Sequence, residues 1–186
     1  MNNFTLKAQE ALARAQREAS ERNHQTIDLP HLVYALLLQE DGIVLPVLKK
    51  LDVPIDALKK EVQRMLDDIP AVSGGGLAQF YLADELRKVL DAAQKQASAL
   101  KDDYVSTDHL LLALCDIPSP MQKLFIKYGM SVNSVLQVLK DVRGTQRIED
   151  QDPESKYQAL EKYSLNLTRL AREEKLDPVI GRDEEI

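Results

Sequence analysis

Two histidines raise the question of chemistry first. His31 and His109 each stand near the third position of a candidate helix, in Asp28-Leu29-Pro30-His31-Leu32 and Ser106-Thr107-Asp108-His109-Leu110. A helix N-terminus disfavours the imidazolium, so either ring could act as a neutral base or a metal ligand. Zinc would need further ligands, and no cysteine pair or helical His-x-x-x-His accompanies them. A structural role in the helix cap is the better reading for His31, whereas for His109 both a cap and a binding role stay open. Asp102, Asp103 and Asp108 could pair as carboxylates for acid–base work. Capping and a solvated turn account for them as well, and no nucleophile is apparent nearby. Cys115, the one cysteine, sits in an apolar run and reads as a reduced core residue. Ser73-Gly74-Gly75-Gly76 continues with Leu77-Ala78 and carries no lysine for phosphate, so it reads as a linker. The chain is therefore expected to be no enzyme, with no metal and no cofactor of its own.

What must position these residues is a duplication. The segment from Ile27 to Leu37 returns, altered, from Val105 to Cys115, and His31 and His109 are 78 positions apart. In each copy a β-branched residue precedes a capping residue, Asp28 or Ser106, able to accept from the free amides of the first turn. Pro30 falls where its missing amide costs nothing, and the helix dipole favours Asp108. The apolar runs that follow are too continuous for surface helices and should be buried. Upstream, Phe4, Ala8, Ala11, Leu12, Ala15 and Ala19 make a helical stripe that Leu82, Leu86, Val89, Leu90, Ala93 and Ala97 repeat. Downstream the offset shortens to 77, as one deletion would give: Val44, Val47, Leu48 and Leu51 match Met121, Leu124, Phe125 and Tyr128. Ile55, Leu58, Val62 and Met65 then match Val132, Val135, Leu139 and Val142. The expectation is an all-α domain of eight helices, a four-helix repeat duplicated about a pseudo-twofold, with no strand in either half. The repeats cover about residues 4–68 and 82–143, joined by a linker at 69–78. Helix boundaries are expected near 5–23, 28–40, 44–51, 54–68, 78–101, 106–116, 120–128 and 131–142.

Bulk properties narrow the function. A net charge of −6 and a pI near 5.2 argue against a nucleic-acid surface, which needs a basic patch. The longest apolar run, Leu32 to Leu38, is too short to span a bilayer, and no basic lead with an apolar stretch opens the chain, so a cytoplasmic protein is expected. The apolar pattern stops after Arg143. Residues 144–155 read as an acidic, solvated linker, with weak order expected beyond about Gly144.

The chain ends Leu176-Asp177-Pro178-Val179-Ile180-Gly181-Arg182-Asp183-Glu184-Glu185-Ile186. That octapeptide from Leu176 to Asp183 resembles the segment opening the first ATPase module of the Clp/heat-shock unfoldases. The two His-Leu repeats resemble the duplicated N-terminal domain of the same family. Ala159-Leu160-Glu161-Lys162-Tyr163, after a short acidic linker, looks most like the disaggregase branch and less like the ClpA and ClpC branches that partner proteases.

The resemblance implies a substrate-docking domain over residues 1–143, a linker over 144–155 and the truncated start of an AAA+ ATPase module over 156–186. It implies a parent that is hexameric, uses ATP and magnesium, and works with the DnaK chaperone system on unfolded or aggregated polypeptides. This fragment would be monomeric. Val179, Ile180 and Gly181 resemble residues lining the family's adenine pocket, but no Gly-Lys-Ser/Thr phosphate loop occurs in the chain. The resemblance also implies a shallow apolar groove for exposed apolar segments. By position its residues would be Thr5, Asp102 or Asp103, and Asp108, with walls from Leu90, Ala93, His109 and Leu110. Two other readings remain: an adaptor-binding N-terminal module of a ClpA/ClpC-type unfoldase, and an independent enzyme using Asp108 or His109.

Overall fold

The computed structural model describes residues 3–72, 81–143 and 147–153. Residues 73–78 of the linker expected at 69–78 and the residues expected at the nucleotide pocket, Val179, Ile180 and Gly181, lie outside them, as does the whole 156–186 segment. Eight helices are described: α1 (Leu6–Glu21), α2 (Leu29–Leu37), α3 (Val44–Lys50), α4 (Ile55–Asp67), α5 (Asp84–Leu100), α6 (Thr107–Asp116), α7 (Pro120–Lys127) and α8 (Val132–Arg143).

Helix α1 starts where Thr5 accepts a hydrogen bond from the Ala8 amide, at 3.3 Å. Its buried face is Ala8, Ala11, Ala15 and Ala19, small side chains that let α2 approach closely. The α1–α2 pair is mirrored by α5 on α6. Both α2 and α6 are buried nearly all round, as their unbroken apolar runs require. The halves share one core: α3 packs against α8, α1 reaches α6, and side chains of both repeats form a single apolar cluster.

The backbone repeats the duplication in detail. Left-handed conformations occur at Asn23 (φ 56°) and Lys101 (φ 59°), which are 78 positions apart. Asp52 (φ 54°) and Gly129 (φ 75°) are 77 apart, so the one-residue slip falls between the two pairs. Each half also lends its lead-in segment to the other. Strand β1 (Thr26–Ile27) pairs in parallel with β2 (Tyr81–Leu82), and Phe4 bridges Val105 in parallel. Position 4 corresponds to 82, and 27 to 105, so these pairings exchange under the pseudo-twofold.

The ladder corrects two expectations. Short strands do occur, and α5 begins at Asp84 instead of near residue 78, because Tyr81-Leu82 is held by β1. The cause lies in the β-branched residues before the caps: Ile27 and Val105 are already extended to enter their N-caps and offer main-chain groups to a neighbour. Helix α2 also stops at Leu37, short of the expected Glu40.

The segment after α8 differs as well. Ile148 is 1% exposed and bonds through its main chain to Asp102 and Asp103, so part of the stretch expected as a solvated linker is anchored on the domain, while Arg147, Glu149, Gln151 and Asp152 stay exposed.

Candidate binding site

Each repeat carries the same device at the start of its buried helix. In α2, Nδ1 of His31 accepts the Asp28 amide at 3.0 Å; in α6, Nδ1 of His109 accepts the Ser106 amide at 3.0 Å. A ring nitrogen that accepts a backbone N–H carries no proton, so both imidazoles are neutral with the proton on Nε2. The partner of that Nε2–H distinguishes the halves. His31 donates to Nδ1 of His24 at 2.9 Å, whereas His109 donates to Oδ2 of Asp102 at 3.0 Å. His24 and Asp102 are themselves 78 positions apart, so one repeat holds a neutral ring where the other holds a carboxylate. Burial, and then the neighbouring His24, push the His31 pKa down to about 4.

The second cap is a charged hub. The Asp102 side chain is fully buried, and besides His109 it accepts from the Arg143 guanidinium and, at 2.8 Å, from the Ile148 amide. Burial raises its pKa, but the bonds from His109, Arg143 and Ile148 outweigh that and hold it near 2. Arg143 also reaches Oδ2 of Asp108 at 3.2 Å, while the Ser106 hydroxyl and the His109 amide hold Oδ1 of Asp108. One cation is thus shared by two buried carboxylates, an arrangement in which losing either partner is costly.

Beside this hub lies a shallow cleft of about 520 Å³, lined by Asn3, Phe4, Gln94, Ala97, Ser98, Asp102, Asp103 and Val105. It runs along the Phe4–Val105 bridge and the C-terminal part of α5. Of the residues expected at a groove, Asp102 and Asp103 line it. Ala93, His109 and Leu110 do not: each is 0% exposed, in the core or the cap. Thr5 is buried as the α1 N-cap, Asp108 is buried against Arg143, and Leu90 is half-buried against the core. The continuous apolar run fills α6 on every side, so none of its residues remains to wall a groove. Asp102 and Asp108 are likewise engaged internally, which leaves exposed Asp103 as the carboxylate at the rim. The lining is also more polar than expected, with Phe4, Ala97 and Val105 as its apolar members.

Reading the sequence alone missed His24, Arg143 and Ile148. The repeat offset pairs His24 with Asp102, and Arg143 is the last residue before the apolar pattern ends. Ile148 is the lone large aliphatic residue of the acidic stretch, and that isolation was its signal. Among the described residues no cluster of metal-ligating side chains occurs, and no helix is long and apolar enough to cross a membrane.

The family described as the Clp repeat (R) N-terminal domain matches residues 3–128. A chaperone protein ClpB from Bacillus anthracis is 39% identical over 100% of this chain and 22% of its own length. ClpB of Nitratidesulfovibrio vulgaris is 43% identical over 98% of this chain and likewise 22% of its own length. Among solved structures, the Hsp104 N-terminal domain from Candida albicans has a TM-score of 0.71 at 25% identity, covering 82% of this chain and 99% of that one. The N-terminal domain of the ClpV1 ATPase from E. coli, at 24% identity and a TM-score of 0.67, shares the fold over 78% of this chain and 88% of that one. The chain thus spans about a fifth of the length of the curated relatives it matches.

Proposed function

Because the chain belongs to the Clp repeat N-terminal domain family, we propose that it is the substrate-docking module of an ATP-dependent disaggregase, capturing exposed apolar segments of unfolded or aggregated protein. The observation that carries this reading is its similarity to ClpB along its entire length, past the repeat and through the final residues. The shallow cleft of about 520 Å³ beside the second cap supports it, since exposed Asn3, Gln94, Ser98 and Asp103 line it where a client can reach them. The titratable groups near it support it too: His109, Asp102, Asp108 and Arg143 bond to one another, and the one hydroxyl among them, that of Ser106, is buried against Asp108 and His109 at 1% exposure, away from any substrate. In this reading clients meet the exposed Asn3, Gln94 and Ser98 and the narrow accessible edges of Phe4, Ala97 and Val105, while Asp103 favours those with lysine or arginine beside the apolar segment. Thr5, Asp108 and His109 act from beneath, by fixing the two chain segments that border the cleft.

In the parent, an ATPase ring using ATP and magnesium would pull on what this domain holds, in concert with the DnaK system. The fragment itself would be a cytoplasmic monomer. Phe4, Ala97 and Val105 are each 5% exposed or less, so the cleft offers little apolar area and a single segment should be held weakly once ordering costs are subtracted. Dissociation constants on the order of micromolar to millimolar follow, with avidity in a ring raising the effective strength. The test is fluorescence anisotropy of labelled α-lactalbumin in its permanently unfolded, carboxymethylated form and in its native form. Saturable binding of the unfolded form alone supports docking. Equal binding of both, or of neither, contradicts it; a folded adaptor that binds where unfolded protein does not would favour the ClpA/ClpC-type alternative.

A further inference from the structure

Ile148 is buried, yet it stands apart from the apolar cluster that makes up the domain core. Its main chain is used on both sides: its amide donates to Oδ1 of Asp102 at 2.8 Å, and its carbonyl accepts from the Asp103 amide at 2.9 Å. Three residues on, the Gln151 carbonyl accepts from the Leu6 amide at 2.7 Å, one of the first-turn donors of α1 that have no partner within the helix. The 147–151 segment therefore spans from the Asp102–Asp103 turn to the head of α1. Main-chain groups make these three bonds, and the Ile148 side chain is buried with them. Two of the residues that hold it, Asp102 and Asp103, also line the cleft.

Recognition by main-chain hydrogen bonds plus one apolar socket is how proteins bind extended peptides with little regard to sequence. We propose that the surface beneath residues 147–151 is a docking site for an extended client segment, with one branched aliphatic residue in the place of Ile148, and that the chain's own segment is its built-in competitor. This inference rests on the docking reading above and adds to it where the client's main chain lies. The segment displays the chemistry of its replacement: an N–H for the Asp102 carboxylate, a carbonyl for the Asp103 amide, and a second carbonyl for Leu6. The Arg143 guanidinium, bound to both buried carboxylates, keeps that acceptor in place whichever segment is bound.

Titrating carboxymethylated α-lactalbumin into the full chain and into Ile148→Asp tests the proposal, with amide spectra recorded throughout. Ile148→Asp should release the segment, moving the Leu6 and Asp103 amides in the absence of client. It should also tighten client binding by roughly threefold to tenfold, and Ile148→Val should behave as the unsubstituted chain. Client added to the unsubstituted chain should move the amides of Ile148 and Gln151 as the segment is displaced. If Ile148→Asp shifts Leu6 and Asp103 but leaves client affinity unchanged, the competition is refuted while client docking elsewhere stands. If neither protein binds the unfolded client, the docking reading and this inference fall together.

Discussion

Replacing Asp102 by alanine tests the account of the second cap at its most sensitive point. The carboxylate receives the His109 Nε2–H, the Arg143 guanidinium and the Ile148 amide. The three donors do not lose equally. The Ile148 amide belongs to a peripheral segment that can turn to water, so its share is small. The His109 ring is wholly buried and cannot, and a stranded buried donor costs about 1–3 kcal/mol. Arg143, with its side chain 9% exposed, loses the Asp102 carboxylate and keeps Asp108 at 3.2 Å. Breaking a buried ion pair costs about 3–5 kcal/mol when nothing remains, so retention of Asp108 should bring this share to the lower end or below. Together these give about 3–5 kcal/mol, a fall in midpoint temperature on the order of 10 °C for a domain of this size. Asp102→Asn, which keeps one acceptor, should cost about half as much. Asp103→Ala, next along the chain and exposed, should stay within ~0.5 kcal/mol of the unsubstituted protein. Urea unfolding followed by circular dichroism measures all three, provided the slope is unchanged. A loss below about 1 kcal/mol for Asp102→Ala, or an equal loss for Asp103→Ala, would refute the hub.

Stability should fall in two separate ranges as the solution is acidified. His31 titrates near 6.5 when unfolded and near 4 when folded, so the unfolded chain binds more protons and its contribution is lost between those values; His31→Gln should flatten that range in unfolding curves taken across pH. The Asp102 contribution is present above about 3.8 and is lost as pH falls through about 2, so it survives the first range. Gly129→Ala should destabilise by about 1 kcal/mol from its positive φ alone, because a Cβ there meets nothing within 4 Å, whereas Lys101→Gly at φ 59° should stabilise by ~0.5–1 kcal/mol. Urea midpoints of opposite sign to these would show the backbone argument wrong. Phosphate release from ATP should not exceed buffer, and turnover abolished by changing one residue of the chain would overturn the non-enzymatic reading.

The fold was legible because a duplicated sequence states its periodicity twice. The alanine stripe of α1 and the apolar stripe of α5 confirm each other, and so do the two capped, buried helices. The exchange of lead-in segments was not legible: two-residue pairings such as Ile27 with Leu82 leave no alternation to count. The site was only partly legible, for a physical reason. In α6 an unbroken apolar run gives no sign of which side chains face outward, and the structure turns all of them in, His109 and Leu110 included. Carboxylates look available for partners until their counter-charge is seen, and Arg143 lies 41 positions after Asp102, at the end of α8. The acidic character of residues 144–155 masked Ile148, whose main chain bonds to the Asp102–Asp103 turn.

Mapping where an unfolded client touches the domain tests the central claim most directly. Amide shifts would be followed residue by residue while α-lactalbumin is added to the chain, first carboxymethylated and unfolded, then native. The account predicts saturable shifts with the unfolded form alone, gathered on Asn3, Phe4, Leu6, Ser98 and residues 102–105. Equal shifts with the native form, or shifts clustered on the first-half cap around Asp28 and His31, would contradict it.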